Sequence, residues 1–347
     1  MKILKVLNNP IFSSIQDTGR FGFENHGVPN SGAGDTLSYR LGNYLLGNDN
    51  VSSIEIIYGS LEIEFISDCV IAITGSDMNP KVNSIPVKMW ETIQIIKDDI
   101  LSFSSSNNGL RSYISVKGGF STNQTMNSSS THTNFNLGGK KLKINDYLHV
   151  DSNIDNSLHK KLRFYPDYYH NDKKFDVIKG PEFENLTDKS KKILLNSSFK
   201  LSNRMSRTGI VLDGNKIEFS RGFSDIISDG TYKGVIQVPN DGKLYVLMED
   251  SQRIGGYPRI LSFTSYSLSY ISQLMPKDEI IFNLISLEEA HEKGKNIEKN
   301  FFGNNITEID DSSVFNLSYN NKEFIVATNK KHKNSVTING KPIKLEF

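Results

Sequence analysis

The chain has 347 residues, more than one hydrophobic core usually fills, so we expect two domains. Apolar residues make up 37% of the chain and aromatic residues 10%, which is enough for two cores. The formal net charge is +1, from 40 basic and 39 acidic side chains spread along the chain, which argues against nucleic acid and anionic membranes as partners. Neutral molecules or proteins are the expected partners.

The cysteine content and the N-terminal segment predict a cytoplasmic protein. Cys69 lies in the apolar run CVIAIT and has no second cysteine to pair with, so a buried thiol is expected. The first residues contain neither a sustained apolar stretch nor a small-residue cleavage site. No segment approaches the ~18 apolar residues that a membrane span needs.

Short segments with alternating apolar residues predict a mainly β fold. In SLEIEF, the side chains of Leu61, Ile63 and Phe65 fall on one face. Further segments of this kind are separated by Gly, Asn, Asp and Ser: VIAIT, TIQII, RSYISV, IEFSR and GVIQV. Strands of this length and spacing favour barrels or sandwiches over a parallel sheet with crossover helices.

A few short helices are also predicted. The segment DTLSYRLGNYLLGN has an apolar stripe, Asp35 as its expected N-cap and Gly47 as its expected end. Another helix begins at Ser286, where Glu289 completes a capping box. The two remaining candidates are TDKSKKILLN and SYSLSYISQLM.

Changes in composition predict the domain boundaries. The sequence becomes polar and loses its periodicity between Asp151 and Lys174, so we expect an N-terminal β-barrel domain at 1–150 and a second at 175–302. The remaining residues, 303–347, form a tail. There Asn339-Gly340 lies between alternating apolar residues, which predicts a β-hairpin with a type I′ turn.

The common local motifs of catalysis are absent from the sequence. It contains no phosphate-binding GxxxxGK[ST], no strand-linked GxGxxG, no GxSxG, no HExxH and no Cys/His cluster with metal-ligand spacing. We therefore expect no metal site, and neither a zinc enzyme nor a serine hydrolase is indicated. A catalytic triad assembled from distant segments stays open.

Six polar loops stand out, and all but SSST combine polar side chains with glycine: QDTGRFGFENHGVPNSGAGD, TGSD, GLRSYISVKGGF, SSST, SRTGIVLDG and GVIQVPNDGKLYVLMEDSQRIGGYP. Glycine lets the backbone approach a ligand or adopt a positive φ. Arginine offers a planar fork for carboxylate or carbonyl oxygens. Each loop alone can equally be a structural turn. The residues by themselves predict a two-domain β protein with a polar cleft.

Taken in order, these loops resemble the family of the 5-oxoprolinase C subunit. This family is also described as allophanate hydrolase subunit 2 or biotin-dependent carboxyltransferase, and it includes the antagonist of a sporulation-kinase inhibitor. The resemblance covers about residues 1–300 and implies two cyclophilin-like β-barrel domains. The segments that carry it are SIQDTGRFGFENHGVPNSGAGD, GNYLLGND, YGSLEIEF, TGSD, GLRSYISVKGG, NRMSRTGIVLDG, KGVIQVPNDGKLYVLMEDSQRIGGYPRI and FNLISLEEA.

The resemblance implies one leading function and two alternatives. The leading one is the C subunit of an ATP-dependent 5-oxoprolinase, which opens 5-oxoproline to glutamate with the B and A subunits; ATP is bound either by this chain or by a partner subunit. The first alternative is a carboxyltransferase that moves a carboxyl group from carboxybiotin, on a separate carrier, to a small amide such as urea. The second is a regulatory protein that binds a kinase-inhibitor partner. Both substrates are small planar amides, which suits a cleft of Arg, Gln and Asp side chains.

The resemblance also implies the site residues. Two arginines are expected to clamp an oxyanion or carboxylate, and two aspartates and a glutamine to orient groups or accept protons. These catalytic candidates are Arg20, Arg207, Asp17, Asp250 and Gln252. The substrate-binding candidates are Gln16, Gly32, Asp35, Asn48, Glu55, Arg111, Tyr113, Gln237, Gly255, Gly256 and Tyr257.

Several positions depart from the family's pattern. Arg253-Ile254 stand where two threonines usually precede Gly-Gly-Tyr-Pro. This exchanges two hydroxyl donors for a cation and an aliphatic group, so a pocket that reads a carbonyl is expected to change. The other departures are Asn127 for a glycine, Lys140 for an arginine, Asn145 for a glycine and Val211 for an arginine.

Overall fold

The computed structural model describes residues 1–106, 108–135, 137–151, 160–167, 173–221, 223 and 226–308. It also describes the backbone of four strands between 312 and 344. These parts of the chain contain 26 strands and four α-helices, which confirms the mainly β fold class with few helices. Within them, no helix combines the length and the apolar character that crossing a membrane requires.

The first half of the chain forms two antiparallel sheets. The six-stranded sheet has the order β11-β1-β4-β9-β6-β7, and the five-stranded sheet has the order β2-β3-β10-β5-β8. In chain order the strands are β1 Lys2–Val6, β2 Phe12–Gln16, β3 Ser53–Ile57, β4 Glu62–Phe65, β5 Cys69–Gly75, β6 Lys81–Val82, β7 Ile85–Pro86, β8 Thr92–Ile95, β9 Ile100–Ser102, β10 Arg111–Val116 and β11 Tyr147–His149.

One hydrophobic core is shared by the two sheets. Ile63 and Phe65 of β4 and Ile71 of β5 are buried in it, because every second residue of a strand points to the same side. Cys69 is buried in the same core, as the sequence predicts. Its burial raises the pKa of the thiol.

The second half of the chain contains a closed barrel with the strand order β13-β20-β17-β18-β15-β14-β21. Strands β13 and β21 pair in parallel, and the other neighbours of the barrel are antiparallel. In chain order the strands of this half are β12 Lys160–Leu162, β13 Lys174–Lys179, β14 Phe199–Met205, β15 Gly209–Asp213, β16 Asp229–Gly230, β17 Val235–Gln237, β18 Leu244–Leu247, β19 Ile254–Gly255, β20 Arg259–Phe263, β21 Glu279–Leu284 and β22 Ile306–Glu308.

Two short ribbons accompany the barrel. Strand β16 pairs with β19 beside the Gly-Gly segment, and β12 pairs with β22. Strand β12 therefore lies inside the polar stretch that the sequence predicts as the junction between domains. The barrel interior is filled by Phe199, Ile236, Val246 and Phe282, which are all buried.

The four helices are α1 Thr36–Leu45, α2 Asp188–Asn196, α3 Ser265–Ile271 and α4 Leu287–Phe302. The carboxylate of Asp35 caps α1 by accepting the N–H of Ser38 at 3.0 Å, and Ser286 forms the predicted capping box with Glu289. All four predicted helices are confirmed. Helix α3 is shorter than its predicted segment, because the residues after Ile271 turn toward the first half and bond to it.

The tail forms a four-stranded antiparallel sheet, β23 Ser312–Tyr319, β24 Lys322–Asn329, β25 Ser335–Ile338 and β26 Lys341–Lys344. Its last pair aligns Ile338 with Lys341, as a hairpin would, while Asn339 and Gly340 lie outside the described residues. The sequence predicts only this last pair and misses the two longer strands before it.

The two halves meet along α1 and the end of α3. The carboxamide of Gln273 donates to the carboxylate of Asp35 at 2.8 Å, and its oxygen accepts the N–H of Arg111 at 2.9 Å. The hydroxyls of Thr36 and Ser269 are 3.0 Å apart. These contacts bring the Gly-rich loop 16–35 of the first half against the loops of the barrel.

Candidate functional site

Arg207 connects the two halves at the centre of this interface. It follows β14, and only 5% of the residue is exposed. Its Nη1 donates to Glu55 Oε1 at 2.6 Å, and its Nε donates to Asp250 Oδ2 at 3.1 Å. Its Nη2 donates to the Gly32 carbonyl at 2.7 Å, with the Gln16 side-chain oxygen at 3.4 Å. The guanidinium of Arg207 thus contacts the loop 16–35, strand β3 and the barrel half at the same time.

Strand pairing places Glu55 at this interface. Glu55 lies on β3 between Ile54 and Ile56, which point into the core, so its own side chain points the other way. Tyr113, opposite it on β10, donates its hydroxyl to Glu55 Oε2 at 2.7 Å. The N–H of Gly34 donates to the same oxygen at 2.7 Å. Burial and the neighbouring carboxylate of Glu55 raise the pKa of Tyr113 well above its ordinary value.

The charges of this cluster are mutually stabilised. Burial alone would lower the pKa of Arg207, but Asp250 and Glu55 outweigh burial and raise it. Burial alone would raise the pKa of Asp250, yet Arg207 holds it below its ordinary value. The buried carboxylate of Glu249 lies 3.1 Å from the ammonium of Lys233, and that charge lowers its pKa against the effect of burial. The cluster is therefore a network of ionised groups inside the protein.

Arg20 and Asp17 form a neighbouring set with different partners. Arg20 is buried and donates to the hydroxyl of Ser31 at 3.1 Å and to the carbonyl of Ser130. Asp17 accepts the N–H of Gly19 at 2.8 Å and the N–H of Ser129 at 2.6 Å. These bonds tie the loop 16–35 to the SSST segment. Both side chains are thus hydrogen-bonded to other parts of the protein. Arg20 lies beside the cluster formed by Arg207, Glu55 and Asp250 and is not hydrogen-bonded to it.

A cavity of about 190 Å³ opens next to Arg207, between the two halves. Since a cavity needs only about 10–15 Å³ to hold one water molecule, this cavity has room for a small ligand. Arg111 and Arg207 form part of its polar lining, and Phe12, Met205 and Ile210 form apolar walls. Apolar walls with a few placed polar groups are typical of small-molecule sites. We call this space the interdomain cavity.

Three further polar residues, Ser13, Thr133 and Lys141, belong to the lining. The Ser13 hydroxyl is buried and has no hydrogen-bond partner within the described part of the protein. Thr133 donates both its N–H and its hydroxyl to Asp250, at 3.3 and 3.1 Å. Lys141 is exposed, and its ammonium lies 5.4 Å from the ring centre of Phe12. A ligand in the cavity would meet a free hydroxyl inside and a cation at the mouth.

A second hollow of about 300 Å³ lies against strands β15, β17 and β18 of the barrel, and we call it the barrel pocket. Gln237, Gln252, Tyr245 and Tyr257 contribute its polar groups, and no charged side chain belongs to its described lining. Ile210 lines both hollows, so the barrel pocket and the interdomain cavity are neighbours.

The structure divides the residues predicted for the site into groups. One group gathers around Arg207 and the interdomain cavity: Gln16, Gly32, Glu55, Arg111, Tyr113, Arg207 and Asp250. The second group gathers at the barrel pocket: Gln237, Gln252 and Tyr257, with Gly255 and Gly256 beside them.

Besides Arg20 and Asp17, two predicted residues belong to neither group. Asp35 caps α1 and accepts from Gln273. Asn48 donates to the Val116 carbonyl at 2.9 Å and accepts the N–H of Gly118 at 3.0 Å, so it holds the turn after α1. Their side chains contact the protein itself and line neither described hollow.

Several residues of the cluster are absent from the sequence prediction. Glu249 directly precedes the predicted Asp250, and Thr133 follows the SSST segment by two residues. Lys141 and Lys233 lie in polar surroundings, where a solvent-exposed position is the ordinary expectation for a lysine. Glu249 and Thr133 could have been suspected because they lie next to predicted segments in the sequence, whereas nothing in the sequence singles out the two lysines. Over the described residues, no three His, Cys, Asp or Glu side chains are arranged to share a metal ion.

The fold agrees with the comparisons to known proteins. Residues 26–284 match the family model described as "Carboxyltransferase domain, subdomain A and B". The chain is 30% identical over 296 residues to the 5-oxoprolinase C subunit of Escherichia coli, covering 83% of this chain and 93% of that protein. It is also 30% identical over 295 residues to the 5-oxoprolinase C subunit of Haemophilus influenzae, with the same coverage.

Among solved structures, urea amidolyase of Kluyveromyces lactis superposes with a TM-score of 0.80 at 22% identity. The alignment covers 97% of this chain but 23% of that much longer protein. At this level of identity the likeness concerns the fold.

Proposed function

Since the chain belongs to the family of carboxyltransferase domains with subdomains A and B, as the loop motifs predict, we propose that it is the C subunit of a 5-oxoprolinase. In this proposal it binds 5-oxoproline in the interdomain cavity and opens the ring to glutamate together with its partner B and A subunits, in the cytoplasm. The observation that carries the proposal is the cavity itself, which is lined by Arg207 and by residues of both halves.

The chemistry of the cavity suits this substrate. 5-Oxoproline is a five-membered lactam with a carboxylate, so it needs an apolar space for the ring, polar groups for the amide and a cation for the carboxylate. Phe12 and Ile210 offer the apolar walls, and the Ser13 hydroxyl is free to bond the amide. Lys141 at the mouth offers the cation. A charge-assisted contact at the mouth would orient the lactam inward.

Arg207 and Asp250 are assigned positioning and electrostatic roles. Attack on the lactam carbonyl builds negative charge on its oxygen, and fixed N–H donors in a water-poor site stabilise that charge. Glu55 and Asp250 balance the charge of Arg207 and hold its guanidinium in place at the cavity wall, so its N–H groups require no rearrangement when the charge develops. Asp250 stays ionised and holds Thr133 on the cavity wall.

ATP does not fit the interdomain cavity. A triphosphate needs several available cations or a loop of free N–H groups. Arg207 is bonded to carboxylates, and Arg111 donates to the Ser272 carbonyl and lies 4.0 Å from Glu55. Lys141 is then the available cation in the described lining. We therefore assign ATP to a partner subunit, and the proposed site of this chain is for the lactam alone.

The test is ATP consumption that depends on 5-oxoproline in a mixture of all three subunits. In the Lys141→Met variant we expect KM for 5-oxoproline to rise about five-fold, because an exposed ion pair contributes up to about 1 kcal/mol. Lys140→Met is the matched control, since its ammonium pairs with Asp146 outside the cavity lining, 2.6 Å away. Absence of 5-oxoproline-dependent ATP consumption, or equal KM values in the two variants, would refute the proposal.

The carboxyltransferase description of the family favours a second candidate. In that case a carboxyl group passes from carboxybiotin on a separate carrier to a small amide. The uncharged lining of the barrel pocket, with its carboxamides and phenol rings, fits an uncharged ureido ring, and Gln237 and Gln252 would hold it. Carboxylation of small amides from carboxybiotin, measured without ATP, distinguishes this candidate from the first.

A further inference from the structure

We propose that a surface patch at the mouth of the interdomain cavity is the docking site for a partner subunit of the proposed 5-oxoprolinase, which meets it with an apolar surface rimmed by acidic side chains. The inference deepens the proposed function and rests on it, because that function takes ATP from a partner subunit. It is carried by exposed apolar side chains, by lysines without ion pairs and by the position of both beside the cavity.

Four large apolar side chains of this patch are exposed. Ile11 is 54% and Phe12 47% exposed, and on the neighbouring segment Ile144 is 44% and Tyr147 40% exposed. Single exposed apolar residues are common on protein surfaces, whereas several in one place mark interaction sites. We use the name docking patch for these four residues and the three lysines beside them, Lys2, Lys141 and Lys143.

Hydrogen bonds place the two segments of the docking patch side by side. The N–H of Leu142 donates to the Ser13 carbonyl at 2.9 Å. The N–H of Ile144 donates to the side-chain oxygen of Asn9 at 3.1 Å. Strands β1 and β11 continue this antiparallel arrangement as far as Tyr147 and beyond. The exposed side chains of both segments therefore belong to one surface.

The lysines of the docking patch have no acidic partners of their own. The ammonium of Lys2 lies 4.3 Å from the ring centre of Tyr147, and that of Lys141 lies 5.4 Å from the ring centre of Phe12. Within the described part of the chain, neither these two lysines nor Lys143 forms an ion pair. Their charges are thus available to a partner.

The nearby carboxylates do not neutralise the docking patch. Asp146 lies 2.6 Å from the ammonium of Lys140, and Glu64 lies opposite Lys5 on the neighbouring strand. The docking patch is therefore positive, although the formal net charge of the whole chain is only +1. An apolar centre with a charged rim is typical of protein interfaces, and a positive rim is complementary to an acidic partner.

The position of the docking patch indicates which partner it takes. Phe12 and Lys141 belong both to the docking patch and to the lining of the interdomain cavity. Because ATP is assigned to a partner subunit and the lactam to the cavity, that partner has to contact this chain where the cavity opens. We assign Lys2 and Lys143 to the partner and leave Lys141 for the substrate. A docked subunit would also exclude water from the lactam.

The experiment measures binding of the full chain to the B subunit and to the A subunit separately, by isothermal titration calorimetry without ATP or 5-oxoproline. The double variant Lys143→Glu/Ile144→Glu changes two exposed side chains that are not part of the cavity lining. We expect its dissociation constant for one subunit to rise about ten-fold or more, because like charges repel across an interface. Added salt should weaken binding of the unchanged chain, because it screens the attraction between exposed charges.

The matched control is the double variant Ile85→Glu/Lys88→Glu. Both residues are exposed, and Ile85 lies on β7, at the opposite edge of the six-stranded sheet from β11. This variant has the same change of charge and should bind the subunit as the unchanged chain does. Far-UV circular dichroism checks that both variants are folded.

The inference is overturned if neither subunit binds, if the two double variants bind equally well, or if added salt leaves binding unchanged. It is also overturned if the docking patch instead mediates self-association of this chain or binding to vesicles that contain phosphatidylserine, which sedimentation velocity and vesicle co-sedimentation detect. Subunit binding that depends on the docking patch, without ATP consumption that depends on 5-oxoproline, would refute the proposed function and leave the docking site in place.

Discussion

Replacing Arg207 with methionine tests whether the buried charge network holds the two halves together. Methionine keeps much of the volume and removes the guanidinium. The carboxylates of Glu55 and Asp250, now bonded at 2.6 and 3.1 Å, would then stay buried without this cation, and the Gly32 carbonyl would lose its 2.7 Å bond. Breaking a buried pair by removing one partner costs about 3–5 kcal/mol. That is a large share of a total stability of about 5–15 kcal/mol.

Arg40 provides the matched control. It also joins the halves through a glutamate, since its Nη2 donates to Glu298 at 2.8 Å, but the two side chains are 34% and 51% exposed. An exposed pair contributes about 1 kcal/mol or less. Arg40→Met should therefore lower the free energy of unfolding by no more than about that amount. Adding Glu55→Gln to Arg207→Met should recover part of the loss, because one uncompensated charge is removed.

The assay is unfolding in urea, followed by fluorescence and by far-UV circular dichroism. Trp90 is the single tryptophan and lies in the first half, whereas circular dichroism reports the strands of both halves. In the unchanged protein we expect the two transitions to coincide, and in Arg207→Met we expect them to separate and move to lower urea. A loss of stability no larger than that of Arg40→Met would refute the reasoning.

Two further predictions concern the buried side chains of Tyr113 and His132. Tyr113→Phe removes the hydroxyl that accepts the N–H of Asp35 at 2.8 Å and donates to Glu55 at 2.7 Å, so the free energy of unfolding should fall by about 1–3 kcal/mol; an unchanged urea midpoint would contradict this. Burial lowers the pKa of His132, so on acidification the unfolded chain binds a proton at this residue before the folded protein does. The contribution of neutral His132 to the free energy of unfolding should therefore be fully present above about pH 6.5, the ordinary pKa of histidine, and should be lost as the pH falls through the lowered folded-state pKa. His132→Leu should flatten this slope in urea midpoints measured across the window, and His291→Leu, at an exposed position of α4, should leave it unchanged.

The sequence predicts most of the elements, because caps and periodicity are local properties. The N-cap role of Asp35 and the capping box at Ser286 are confirmed in the structure. The two longer strands of the tail, β23 and β24, are missed. Their alternation is present in the sequence, but the polar residues on the alternate positions resemble a linker when each segment is considered alone.

The candidate site is harder to predict, because sequence order does not give distance. The family's motifs suggest one polar cleft, whereas the structure places Arg111 and Arg207 in the lining of the interdomain cavity and Gln237, Gln252 and Tyr257 in the lining of the barrel pocket. Arg20 and Arg207 have the same side chain and similar motif surroundings, yet Arg20 donates to a carbonyl and a hydroxyl and Arg207 donates to two carboxylates. Only tertiary structure determines which partners a buried guanidinium meets.

The interface is therefore the part of the molecule on which the proposed function depends. Each half folds around its own core, but neither contains a complete interdomain cavity, since Ser13 and Lys141 come from the first half and Met205 and Arg207 from the second. A buried ion network joins two domains at the cost of removing its charges from water, and hydrophobic contacts of the same size often stabilise a protein equally well. What such a network adds is a fixed orientation of charged groups beside a cavity, and this is the property that polar transition states require.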